Sequence, residues 1–116
     1  MKTPPLKYLV ALLAMALAQE ALAVEFDMAA PKKGRKYIRG CVNIGCIGTA
    51  AAGDTIIVEL VSGGVVQARD TVTANATATW GANLKRPPAG WFLGEAVVTA
   101  RIGKRQVSTK ITFVPD

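Results

Sequence analysis

Beyond Lys36 the chain alternates apolar and polar residues with a period of two. That pattern restricts it to β-structure, because successive strand side chains point to opposite faces of a sheet. The alternation is clearest over residues 106–114, where Val107, Thr109, Ile111 and Phe113 share one face and Ser108, Lys110 and Thr112 the other. Residues 95–102 repeat it, with Ala96, Val98, Ala100 and Ile102 inward. Gly103-Lys104 between these strands reads as a tight hairpin, since Gly tolerates positive φ. Residues 71–80 alternate without a break and read as one long strand or as two strands hinged near Asn75, because periodicity alone does not register a bend; the hinge is the preferred reading. Residues 55–62 put Ile56, Val58 and Leu60 on one face. A two-residue Gly63-Gly64 turn would then set apolar against polar positions, so the pattern predicts a three-residue loop, Ser62-Gly63-Gly64, with Leu60 opposite Val66 and Val58 opposite Ala68. Residues 85–90 hold two prolines and form a loop, because proline has no donor for a ladder. With turn signals roughly every eight to twelve positions and no amphipathic helix, the expected fold class is all-β: a small β-sandwich of about seven strands.

The first residues follow another logic. Lys2 and Lys7 precede an apolar run, and Ala21-Leu22-Ala23 is a small-x-small cleavage site, so residues 1–23 read as a cleaved signal peptide. The apolar run spans about 16 Å as a helix, against roughly 30 Å of hydrocarbon, and no later segment is long enough for a transmembrane span. The chain has 116 residues, enough for one domain. Residues 24–35, with Pro31, Gly34 and several charges, read as a flexible basic lead-in, and residues 36–116 as the sandwich. From Val24 onward, 12 Lys and Arg stand against 7 Asp and Glu. A periplasmic or secreted chain of this charge is drawn to anionic surfaces.

Cys41 and Cys46 enclose Val-Asn-Ile-Gly. In an oxidising compartment a structural disulfide is the default expectation, worth about 2 kcal/mol for so short a loop. It requires the chain to turn around Asn43-Ile44-Gly45. A redox-active pair is the alternative, but such pairs have two intervening residues and a strand-to-helix setting.

The order of residues resembles the immunoglobulin-like repeats of large bacterial surface proteins. The parallels are Ile38-Arg39-Gly40 opening a first strand, the stretch from Gly48-Thr49-Ala50 through Asp54-Thr55-Ile56-Ile57-Val58, residues 71–80 ending in Trp80, and Pro88-Ala89-Gly90-Trp91 before Val97-Val98-Thr99-Ala100. They cover roughly residues 37–114, and the Cys41 to Cys46 segment is not part of the pattern. The resemblance implies a sandwich used for adhesion, spacing or docking, which does not identify a function.

Catalytic constellations are sparse. There is no histidine, which removes the commonest general base and metal ligand. Ser62 and Ser108 are the only serines, and neither sits in a nucleophile elbow. Gly40 and Gly45 have phosphate-loop spacing, but Cys46 and Ile47 stand where Lys and Ser or Thr are needed. Glu59 and Asp70, on adjacent expected strands, are the carboxylate pair to watch for acid and base work. Their bland reading is two solvated strand charges.

The densest charge feature is Lys32, Lys33, Arg35 and Lys36, followed by Arg39. Arg101, Lys104 and Arg105 form a second cluster near the expected hairpin tip, and with Lys110 extend the same basic surface. The first run reads foremost as a solvated lead-in; the competing reading makes these residues the candidate contacts for an anionic envelope polymer or lipid surface. Nucleic acid is held down as a partner by the export signal. Trp80, Trp91 and Phe92 invite comparison with a ligand groove; core packing is the stronger reading for Trp80, while Trp91, beside the Pro-rich loop, is a candidate groove aromatic. Asn75-Ala76-Thr77 matches a glycosylation acceptor by chance.

The expectation is a non-enzymatic, cofactor-free exported module of the bacterial envelope that docks a protein partner or an anionic envelope polymer, with edge strands open to strand addition. The alternative is an inhibitor or accessory subunit of a periplasmic enzyme or of a secretion or pilus machine.

Overall fold

The computed structural model describes residues 24–116; the expected signal peptide lies outside them. The described residues form eight strands and no helix: β1 (Asp27–Ala30), β2 (Lys36–Ile38), β3 (Asn43–Thr49), β4 (Thr55–Ser62), β5 (Val65–Thr73), β6 (Thr79–Lys85), β7 (Gly94–Ile102) and β8 (Arg105–Val114). They make a three-stranded sheet, β1-β3-β6, and a five-stranded sheet, β2-β8-β7-β4-β5. Every pair is antiparallel except β2 with β8.

Alternation decides what lies between the sheets. Ile44 and Cys46 of β3 and Trp80, Ala82 and Leu84 of β6 face Ile56, Val58 and Leu60 of β4, with Val98, Ile111 and Phe113 from β7 and β8. All are buried. Each fully buried Ile, Leu or Val side chain contributes about 1.5–3 kcal/mol relative to exposure. The faces read from residues 95–102 and 106–114 match this core, and the β7–β8 turn is the expected Gly103-Lys104 pair, joining Ile102 to Arg105 with Gly103 at φ 57°.

Residues 71–80 divide at the expected hinge. β5 ends at Thr73 in one sheet and β6 begins at Thr79 in the other. The Asn75 side chain holds the crossing: its Oδ1 accepts from the backbone N–H of Thr77 at 3.0 Å and of Thr79 at 3.1 Å.

Two expectations are corrected. Residues 24–35, read as a flexible lead-in, contain β1, which pairs with β3, while Phe26 and Met28 pack against the core. The segment lacks the β-formers that mark a strand, so only its long-range pairing reveals it. The β4–β5 turn is two residues, not three. Ser62 pairs with Val65 across Gly63 and Gly64, whose φ values of 58° and 76° supply the two positive φ angles of a type I′ turn. Register is restored by a bulge: Val61 meets Val66 and Leu60 meets Ala68, so Gln67 is the extra residue, and Val58 meets Asp70.

Gly48 is fixed by close approach. A Cβ there would overlap the Asp27 carbonyl oxygen of β1 and come within 2.6 Å of the Trp80 ring. Neither neighbour is a flexible side-chain end. Gly48→Ala is therefore expected to lower unfolding stability by about 1–3 kcal/mol in chemical denaturation, with the slope unchanged. A substitution at open Gly45, where nothing lies within 4 Å of the added atom, serves as the comparison.

Candidate binding surface

Both cysteines are unpaired, which corrects the expected disulfide. The Asn43-Ile44-Gly45 segment that would have to turn is extended instead, paired with Lys85, Leu84 and Asn83 of β6. Extended over about 10 Å from Asn43 to Cys46, the segment lacks the reversal that would bring the two cysteine Cα atoms within the roughly 7 Å a bridge permits. Cys46 points into the core, and burial, reinforced by the Asp70 charge, pushes its thiol up to about 12. Cys41 lies before the strand, half-buried, its thiol donating to the Asn43 carbonyl at 3.2 Å.

Trp91 is also corrected as a groove aromatic, because it is fully buried. Its ring stacks on Phe113 with centroids 5.1 Å apart and planes 11° off parallel. Its Nε1 donates to the Cys41 carbonyl at 2.6 Å. Trp80 likewise belongs to the core and donates to the Thr49 carbonyl at 3.1 Å. Both indoles are packed into the core, and Trp80 also borders a groove with Asp27, Ala29, Ile47 and Gly81.

Glu59 and Asp70 lie on opposite faces of the five-stranded sheet. Asp70 pairs with inward Val58 and accepts from the backbone N–H of Asn83 at 2.9 Å, tying β5 to β6 across the open side of the core. Glu59 pairs with Arg69 on the outer face and is only 7% exposed. One oxygen accepts from Arg69, the other from Arg101 Nη1 at 2.7 Å. Burial alone would raise the Glu59 pKa, but the hydrogen bonds and charges of the two guanidiniums outweigh it and hold the carboxyl below the usual range. The two carboxylates cannot share a substrate. Among the described residues, no group of three or more Cys, Asp and Glu side chains has metal-site geometry.

The structure splits the candidate cations into two sets. On the β7–β8 hairpin, Arg101 is bound to Glu59, Arg105 lies 3.6 Å from Asp54 and over the Phe26 ring, and Lys104 occupies the turn. Here positive charge is largely neutralised. Lys32, Lys33, Arg35 and Lys36 instead form a row along the β2 edge, held by Gly34 N–H donating to Lys110 O at 2.8 Å and Thr112 N–H donating to Arg35 O at 3.0 Å. All four are exposed, and none has an ion pair among the described residues. Arg35 sits over the Tyr37 ring at 5.2 Å. Lys110 adjoins the row but pairs with Glu95. Arg39 lies farther on, at the end of the molecule, where its Nε donates to the Trp91 carbonyl at 3.2 Å.

Two predictions follow from this geometry. Thiol titration is expected to find one reactive group, Cys41, in the native protein and two after denaturation; a single thiol or none after denaturation would contradict the unpaired cysteines. Glu59 gives a pH signature. Its native carboxyl gives up its proton more readily than the unfolded one, so its stabilising effect is complete above the unfolded pKa of about 4.3 and is lost as pH falls through the lower native value. Glu59→Gln should flatten that part of the stability profile. At neutral pH it should cost on the order of 1 kcal/mol, less than a fully buried pair, because the Arg69 and Arg101 side chains are 58% and 37% exposed.

No protein-family model matches the chain, and no curated protein is significantly similar to it.

Proposed function

We propose that this protein is an exported, non-catalytic binding module, an immunoglobulin-like β-sandwich that docks on an anionic partner through its β2 edge. The observation that carries the reading is the row Lys32, Lys33, Arg35 and Lys36, whose four charges have no ion pair among the described residues, while Arg69, Arg101, Arg105 and Lys110 are all partnered. Exposed like charges in a row repel one another and are relieved when a polyanion neutralises them. The edge is short and charged, which discourages pairing with another sheet and leaves the side chains as the contact.

The sandwich reading is supported by strand order. β1 and β2 are consecutive in the chain yet fall in different sheets, and β2 closes the five-stranded sheet by a parallel pairing with the last strand. Export is supported by the charge and apolar pattern of residues 1–23 and by the Ala21-Leu22-Ala23 site. Among the described residues, no helix is long and apolar enough to cross a membrane.

The test is retention on a soluble polyanion, polyglutamate, as a function of salt. Binding should weaken steeply as the screening length falls from about 10 Å at 0.1 M to about 3 Å at 1 M. Lys32→Glu/Lys33→Glu/Lys36→Glu should weaken it at least about tenfold at low salt, whereas Lys104→Glu should change it little. Equal losses from the two variants would sink the assignment to the β2 edge.

A further inference from the structure

Among the described residues, six of the seven large apolar side chains left exposed, Ile38, Val42, Val65, Val66, Phe92 and Leu93, lie at one end of the molecule. That end is where the β4–β5 turn, the last residues of β2, β6 and β8 and the first residues of β3 and β7 come together. It is opposite the β7–β8 hairpin. Val42, Phe92 and Leu93 sit on loops, not on a sheet face. Their exposures, 60%, 46% and 52%, are those of projecting side chains.

Part of the loop backbone beneath them is hydrogen-bonded within the protein. Phe92 N–H donates to Gln67 Oε1 at 3.0 Å, and the Trp91 carbonyl accepts from Arg39. The Val42 carbonyl accepts from Arg86 N–H at 2.8 Å, and the Gly40 carbonyl from the Arg86 guanidinium at 2.9 Å. Gly40 N–H donates to Asp116 at 2.6 Å and Gly90 N–H to Pro87 O at 2.9 Å. Around the tip stand Arg39, Lys85 and Arg86, all exposed, and the β2 row arrives at it through Lys36. The carboxylates there are Glu95, paired with Lys110, and Asp116, bound to Gly40 N–H.

From the apolar tip and its rim of cations we infer that the anionic partner is a lipid bilayer surface, with Phe92, Leu93 and Val42 entering the headgroup and acyl boundary while Arg39, Lys85, Arg86 and the β2 row meet anionic headgroups. The inference rests on the basic-edge reading and names its partner. Interfacial binding grows with buried apolar area plus attraction between cations and anionic lipid, and this end supplies both. A soluble polyanion would use only the cations. It would leave the apolar side chains without a role.

The experiment uses the protein in the processed form that its native cell accumulates, with vesicles of phosphatidylglycerol and phosphatidylcholine or of phosphatidylcholine alone. A polarity-sensitive dye is placed on Leu93→Cys or, at the opposite end, on Lys104→Cys, each in a Cys41→Ser background; Cys46 is too buried to label. The expected result is a blue shift at position 93 on anionic vesicles only, with none at position 104. Phe92→Asp/Leu93→Asp should reduce vesicle binding at least about tenfold while leaving polyglutamate binding and the circular dichroism spectrum unchanged. Vesicle binding without a shift at 93, equal shifts at both positions, wild-type vesicle binding by the Asp variant, or capture of an acidic protein without any vesicle binding would overturn the lipid assignment. Polyglutamate binding that survives Lys32→Glu/Lys33→Glu/Lys36→Glu counts instead against the basic edge, a failure the position-93 dye reads separately.

Discussion

The Trp91 indole holds together the end of the molecule on which the functional reading depends. It stacks on Phe113 of β8 and donates to the carbonyl of Cys41, just before β3, so one side chain joins the Pro-rich loop to both sheets. Arg39 closes the arrangement from the β2 side by binding the Trp91 carbonyl. An aromatic pair of this kind adds about 0.5–1.5 kcal/mol beyond its burial, and a buried indole N–H left without an acceptor would cost a similar amount or more. The loop is thereby rigid enough to present Phe92 and Leu93 outward while Trp91, their immediate neighbour, is fully enclosed.

The same anchor bears on the cysteines. Holding the Cys41 carbonyl under the indole, with Cys41 N–H on the Ile38 carbonyl at 3.1 Å, places that residue outside the ladder, and β3 then runs extended so that Cys46 fills the core. Compartment chemistry favours a bridge between nearby thiols, but strand geometry decides whether they are near. Ladder pairing of β3 with β6 along Asn43 to Thr49 outweighs the gain from so short a crosslink.

Charge is arranged in two regimes. Glu59 is buried at the centre of an outer sheet face, and two arginines from neighbouring strands satisfy both its oxygens. That cluster stabilises and locks the register of β4 against β5 and β7, and its guanidiniums are committed. The β2 row is the opposite case, with cations side by side, none ion-paired among the described residues, and backbone hydrogen bonds and the Arg35–Tyr37 contact holding the segment down. Positive charge is therefore concentrated where it is available to an outside partner.

The sequence by itself determined the all-β class, the inward faces of β4, β7 and β8 and the Gly103-Lys104 turn, because these depend on alternation and turn chemistry within a few residues of one another, whereas the crossing at Asn75 was one of two open readings that sheet assignment decided. The basic run was equally legible, since clustered charge needs no folding to be seen. Tertiary structure alone decided the rest. β1 is a strand only because β3 is beside it, and a bulge at Gln67, not loop length, sets the β5 register. Arg101 and Arg105 drop out of the proposed binding surface because Glu59 and Asp54, far away in sequence, are beside them. The apolar tip draws Val42, Val66 and Phe92 from three separate loops and strands, and a period-two reading scores each of them alone. Local rules see neighbours along the chain, whereas partnering of charges, burial of a tryptophan and assembly of a patch are properties of neighbours in space.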